Sequence, residues 1–290
     1  MKTFLSLFLA VTMLFFVVSC ADINSSDKSN TSATTTTPTT PNTTSGTTAS
    51  TTTGKTDNSP KEKTMNIKIA SYNIKHGELA NHDFDVIAED IIKNDIEIIG
   101  LQEVDQNTNR NGKQDTMGHL ADATDYYYCY AASLENYQGG QYGNGILSKY
   151  PIVAHETIKL PKKDPNNAKE EQRTVLHAQI DIGGEIFHFF TTHFQGNAAE
   201  LQFAEINKHS KNCEFFVVAG DYNRQDFEIY SAIENSYLSH KGEVTTVDGY
   251  KFDNFIISNN IKSKNFTVTD TRNSDHYMIT TEISVTFKTK

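Results

Sequence analysis

A four-layer α/β/β/α sandwich of two mixed sheets is the fold class the sequence predicts for residues 65–290. Three observations predict it. Strand-like and helix-like apolar patterns alternate at the start of this region, strand patterns dominate its middle, and polar residues fall again and again at the ends of the predicted strands. The stretch is long enough for one domain with a large core, and two packed sheets with helices outside bury both faces of each sheet.

Asn66–Asn73, NIKIASYN, sets Ile67, Ile69 and Ser71 against more polar neighbours, the period of two that marks a strand. Phe84, Ile87, Ile91 and Ile92 recur at helical spacing behind Asp83 and Asp85, and Ile96–Leu101 supplies a buried strand. A second helix is expected over 113–124, followed by strands near 126–131, 144–148, 152–160, 175–182 and 185–193. The spacing then predicts a helix over 198–209, an apolar strand over 215–219, and strands over 252–257, 266–271 and 276–287. Tyr126, Tyr127, Tyr128 and Tyr130 read as strand core and sheet surface rather than as a platform for stacking bases.

Ahead of the domain, Lys2 precedes an apolar run from Phe4 to Val18 that ends in Val17-Val18-Ser19-Cys20. The run falls short of the roughly 20 apolar residues a membrane-spanning helix needs, and its order of basic, apolar and small residues is that of a secretory signal. Small residues before a cysteine resemble the bacterial lipoprotein cleavage box. That resemblance implies a signal peptide over 1–20, lipid on Cys20, and a place outside the cytoplasm on an outer or cell-surface membrane. Residues 21–64 are dominated by Thr, Ser and Asn, with Pro38, Pro41 and Pro60. Such a composition cannot offset the entropy of ordering itself and reads as a tether.

Five Lys and four Asp/Glu lie in residues 1–64, which leaves 21 basic against 32 acidic side chains in the domain and a net charge of −11. That is a poor surface for gripping nucleic acid without sequence preference, because phosphate contacts need Lys and Arg to release counterions. With Cys20 committed to lipid, Cys129 and Cys213 are left as free, buried or paired thiols, and the sequence does not choose among these.

The polar residues at strand ends carry the chemistry. Ser71-Tyr72-Asn73-Ile74, Leu101-Gln102-Glu103-Val104, Thr192-His193-Phe194, Gly220-Asp221-Tyr222-Asn223, Phe252-Asp253-Asn254-Phe255 and Ser274-Asp275-His276 each close or open a predicted strand. In a sandwich the strand ends on one side converge, so these segments can surround a single cleft with an oxygen-rich set of groups. Oxygen donors with few nitrogens suit Mg²⁺, Mn²⁺ or Ca²⁺, and Mg²⁺ takes only one or two carboxylates plus substrate phosphate. Glu103 is the expected direct ligand, with Asn73 and Asp275 close by. Histidines beside carboxylates supply a base or electrostatic clamp and donors to phosphoryl oxygens. His76, His119 and His188 lie outside these segments and are expected on the surface or in packing, with His76 nearest the cleft mouth.

Taken together and in this order, the segments resemble the endonuclease/exonuclease/phosphatase family across residues 65–290. Tyr142–Ile152, YGNGILSKYPI, and Glu171-Gln172-Arg173 support it, and Asn73-Ile74-Lys75-His76-Gly77 with Arg110-Asn111-Gly112 and Gln114-Asp115 resembles its compact bacterial hydrolase branch. The resemblance implies a DNase I-like sandwich, divalent-metal-dependent hydrolysis of phosphate esters, and a monomer. It implies that Glu103, Asn73 and Asp275 bind the metal. His276, oriented by Asp253, would activate or electrostatically assist the attacking water, with Asp221 the competing base. Asn223 and His193 would hold the phosphoryl oxygens, and Asn144 and Arg173 would support the phosphate or the residues around it.

Met278 stands where the family usually has proline, and Lys75 where members with a second metal often have an acidic residue; one metal is therefore expected. A lipid or small-molecule phosphate is the favoured substrate. An extracellular nuclease and a non-catalytic interaction module on the same fold are the alternatives.

Overall fold

A computed structural model describes residues 61–289. The leader, Cys20 and the tether up to residue 60 lie outside the described residues. Alternation along the strands sets the layers. In β1 (Lys61–Asn73), Ile67 and Ile69 face one way while Ala70 and Tyr72 face the other, and the two pairs enter different cores.

After β1 come α1 (Phe84–Lys93), β2 (Ile98–Gln106), α2 (Thr116–Thr124), β3 (Tyr127–Tyr137), β4 (Gly140–Ser148) and β5 (Ile152–Lys159). β6 (Thr174–Asp181), β7 (Ile186–His193), α3 (Ala199–Ser210) and β8 (Phe216–Asp221) follow, then β9 (Ser236–Leu238), β10 (Asp253–Ser258), β11 (Lys262–Thr269) and β12 (Met278–Thr289). The strands form two six-stranded sheets, ordered β11-β12-β1-β2-β4-β3 and β5-β6-β7-β8-β10-β9. Each is mixed, since β1 pairs parallel with β2 and β7 parallel with β8 while their other neighbours are antiparallel.

Ile67, Ile69 and Ile98 of the first sheet pack against Leu176, Phe189 and Val217 of the second, forming the central core. The outer face of the first sheet is covered by Phe84, Ile87 and Ile91 of α1 and by Met117 and Leu120 of α2. Phe203 and Ile206 of α3 cover the outer face of the second, against Phe190 and Val218. The molecule is the four-layer sandwich that the pattern predicts. No helix among the described residues is long and apolar enough to cross a membrane.

Several elements differ from expectation. α2 begins at Thr116 rather than near 113, because Asp115 accepts a hydrogen bond from the Gly118 amide and caps the helix there. β1 begins at Lys61, inside the segment expected to be tether, because β12 runs on to Thr289 and pairs with it residue for residue. β9 and the 3-10 turn Phe227–Ala232 are short elements that no apolar period announced.

The two sheets approach closely where β2 crosses β7. A Cβ on Gly100 would lie 2.7 Å from the Thr191 Cβ, closer than packed carbons come. Gly100→Ala should therefore destabilise the domain by about 1–3 kcal/mol, the usual cost of overpacking. Denaturant unfolding would measure it, and an unchanged midpoint would show that the sheets part there without strain.

Candidate active site

Odd-numbered residues of β1, β7, β8 and β10 share the inter-sheet face, so the alternation that buries Ile69, Phe189, Ala219 and Phe255 also aims Asn73, His193, Asp221 and Asp253 between the sheets. Register brings them to one end: Asp221 lies opposite both His193 and Asp253. The segment before β12 joins them where the Ser274 hydroxyl donates to the Asn73 carbonyl at 2.7 Å.

Glu103 arrives differently. It was expected at a strand end, but it lies inside β2, where the pairing with β4 slips between Leu101 and Val104. Val104 packs on the outer face while Gln102 reaches across the sheets to Thr191 Oγ1 at 2.8 Å. The slip is a bulge, and Glu103 occupies it with φ of 55°, the left-handed region that costs a residue with a Cβ about 1 kcal/mol or more. Two consecutive side chains, Gln102 and Glu103, thereby face inward.

Asn73 ties the cluster together. Its Nδ2 donates to Glu103 Oε1 and to Asp221 Oδ2, each at 3.0 Å. Asp221 Oδ2 also lies 3.5 Å from His193 Nε2 and 3.5 Å from His276 Nε2. His276 Nδ1 sits 2.9 Å from Asp253 Oδ2, an oxygen that accepts from the Thr245 hydroxyl at 2.7 Å as well. Arg173 Nη1 is 3.0 Å from His193 Nδ1. A guanidinium can only donate, so this nitrogen accepts, and a neutral His193 carries its proton on Nε2, toward Asp221.

Burial, then the charges of Arg173 and His276, hold the His193 imidazole well below its ordinary range. Burial opposes the charged form of His276 too, but the Asp253 carboxylate overcomes it and lifts the imidazole to about 10. Asp221 is raised, first by burial and then by Asp253, against the pull of His276.

Asp221, Asp253 and His276 offer ligand atoms within 4.8 Å of one another. Asp253 Oδ1 is buried without a partner, and Glu103 has no Lys or Arg within 4.0 Å among the described residues, its nearest ring nitrogen being His193 Nδ1 at 4.0 Å. Carboxylates left short of positive charge in this way fit a hard divalent cation. Asp275 is the exception in the expected ligand set, since its carboxylate pairs with Lys75 Nζ at 3.1 Å.

Asn144 and Asn223 are both bonded within the protein. Asn144 is 1% exposed and donates to the Thr174 carbonyl at 3.0 Å, so it stitches the two sheets together. Asn223 commits an amide hydrogen to the Phe194 carbonyl at 3.0 Å, while its own backbone N–H donates to Asp221 Oδ1 at 2.9 Å; its clear contribution is to hold Asp221. Cys129 and Cys213 are free thiols, the first buried. Thr245 and Gln102 are the positioning residues that the sequence did not single out. Thr245 sits in the connection between β9 and β10, where only the folded path brings it to Asp253, whereas Gln102 stood beside Glu103 and could have been found from its place on an inward-facing strand.

The two sheets thus gather carboxylates and imidazoles at one end. The chain belongs to the endonuclease/exonuclease/phosphatase family, whose sequence model matches residues 70–276. A family structure from Bacteroides vulgatus shares the fold at TM-score 0.62 and 18% identity, over 76% of this chain and 98% of that one. The mannosyl-6-phosphatase of Bacteroides thetaiotaomicron VPI-5482 shares it at TM-score 0.57 and 14% identity, over 75% and 99%. The human Nocturnin catalytic domain with bound sulfate does so at TM-score 0.60 and 15% identity, over 78% and 99%. No protein among the curated sequences matches.

The His276–Asp253 pair has a pH signature. Its folded value lies above that of an unfolded histidine, so the stability it contributes is complete below about pH 6.5 and is lost as pH rises through about 10. The difference in unfolding free energy between the wild type and His276→Gln should shrink over that window, and Asp253→Asn should bring the His276 titration, followed by NMR, down toward ordinary values. A His276 resonance titrating near 6.5 in the wild type would show that the pair is not formed.

Proposed function

We propose that the chain is a divalent-metal-dependent phosphodiesterase or phosphatase that acts outside the cytoplasm on a small-molecule or lipid phosphate. The observation that carries this reading is the Asn73 amide bridging Glu103 and Asp221, with His193 and His276 on either side of the Asp221 carboxylate. Glu103 and Asn73 would hold the cation, which is Mg²⁺ or Mn²⁺, with Asp275 joining them if Lys75 releases it. Bound there, a cation would polarise a phosphoryl oxygen as a Lewis acid.

The protein's own groups divide the remaining work. Asp221 takes the proton of the attacking water, its carboxylate aimed by Asn73 and by the Asn223 backbone N–H. His276, held by Asp253, presents its Nε2–H to a phosphoryl oxygen and balances charge there. His193, fixed by Arg173, presents a second N–H.

A compact ester suits the charge better than a polyanion does. The domain carries a net charge of −11, and the cations flanking the site residues in sequence are engaged: Lys75 by Asp275 and Glu78, Arg173 by Glu171, Arg224 by Asp226. The mannosyl-6-phosphatase among the structural neighbours supports a sugar phosphate in the test panel.

The purified chain should be offered sugar phosphates, nucleotides, phosphoinositides, sphingomyelin, DNA and RNA. Hydrolysis should vanish in EDTA and return with Mg²⁺ or Mn²⁺, and Glu103→Gln should raise the metal concentration needed without unfolding the domain. Asp221→Ala and His276→Ala should each lower kcat by about 10²–10⁴. Full activity in EDTA would sink the metal assignment, while cleavage of DNA or RNA alone would move the substrate to nucleic acid.

The leader motif Val17-Val18-Ser19-Cys20 supports anchoring through a lipid on Cys20. Cys20→Ser should release the protein from the membrane fraction or leave its leader uncleaved. A cleaved variant that still sediments with membranes would rule lipidation out.

A further inference from the structure

A second cluster of metal-binding side chains lies at the other end of the second sheet. His177 of β6, His188 of β7 and Cys213, in the turn after α3, bring ligand atoms within 4.8 Å of one another. His193 follows His188 by five residues on the same strand, which places the two about 16 Å apart along it. They also face opposite ways. His177 stacks on Phe190 at 4.0 Å between ring centroids, and Phe190 belongs to the core under α3, whereas His193 faces the space between the sheets. The cluster is therefore separate from the phosphoesterase site.

Its geometry is prepared for a cation. Glu156 of β5 pairs directly across from His177, and its Oε1 lies 2.9 Å from His177 Nδ1. Donation to the carboxylate places the proton of a neutral His177 on Nδ1 and leaves Nε2 with an open lone pair, the arrangement in which a carboxylate orients a metal-binding imidazole. That Nε2 lies 2.9 Å from His188 Nδ1. Two ring nitrogens converge, and with no metal one must donate to the other. Cys213 Sγ completes the third side and donates to the His209 carbonyl at 3.5 Å.

We propose that His177, His188 and Cys213 form a Zn²⁺ site with a fourth, water-filled position, and that the bound ion pins the end of α3 to the second sheet. Two imidazoles and a thiolate are borderline-soft donors that suit zinc and not the hard cation expected around Glu103. Binding turns the Cys213 thiol into a thiolate, with its proton released to water. Glu156 stands behind His177 as its orienting partner, and His209 lies beyond it, with Nδ1 3.6 Å from the same carboxylate oxygen.

Co²⁺ reads this site directly, because a thiolate ligand gives a near-ultraviolet charge-transfer band that an oxygen-ligated ion lacks. The full chain, stripped of metal and then saturated with Mg²⁺, is titrated with Co²⁺. One equivalent should develop the band, and Zn²⁺ should abolish it by displacement. Cys213→Ser and His188→Ala should eliminate the band, while Cys129→Ser, Cys20→Ser and Glu103→Gln should retain it. Glu156→Gln should weaken Co²⁺ binding by about 10–100-fold, the usual cost of losing an orienting partner. Absence of the band in the wild type, or its persistence in Cys213→Ser, would overturn the proposal. Neither result bears on the phosphoesterase reading, which Glu103 and Asp221 carry.

Discussion

The bulge at Glu103 is the constraint on which the site depends. A strand of strict period two would send Glu103 to the outer face, beneath α1 and α2, where a carboxylate would meet an apolar core. One slipped residue, held at a left-handed φ of 55°, turns it toward Asn73 instead. The cost of that backbone conformation is small beside the electrostatic cost of gathering Glu103, Asp221 and Asp253 in one place, and the fold accepts both because the surrounding ladder is continuous. β1 and β12 pair over eleven residues, and β2 resumes its pairing with β4 beyond the slip.

Positive and hydrogen-bonding groups then distribute the charge. Asp253 is wholly buried, yet one of its oxygens receives both the His276 imidazole and the Thr245 hydroxyl. Asp221 receives the Asn73 amide and the Asn223 backbone N–H. What stays uncompensated is Asp253 Oδ1 and the outer part of Glu103, so the negative excess is concentrated where a cation and a phosphate would meet. Low dielectric strengthens every one of these contacts, which makes the cluster rigid as well as charged.

Much of this was legible in the sequence. Asp221 and Asp253 lie one step along the apolar alternation, and Asn73 and His193 two steps along it, beyond Ser71 and Thr191, so the pattern that names the buried face also names the side chains at its end. Glu103 looked like a strand end because a bulge formed by a residue other than glycine leaves no mark in composition. Asn144 belongs to a motif that points to the phosphate or to the residues around it, and its burial depends on how closely β4 and β6 approach, a distance that no strand pattern encodes. Thr245 lies in an irregular connection whose path is set by tertiary contacts. His188 is expected on the surface or in packing, and its neighbours His177 and Cys213 are separated from it in sequence by eleven and twenty-five positions, so their convergence emerges only from sheet register and from the turn that follows α3.

The long first strand also sets a direction for the molecule. Lys61 and Asn73 mark its two ends, roughly 40 Å apart in extended chain. The polypeptide enters the domain at one pole and the cleft opens at the other. The backbone thus crosses the whole length of the first sheet before it reaches Asn73, so the entry point of the chain and the cleft do not compete for the same surface.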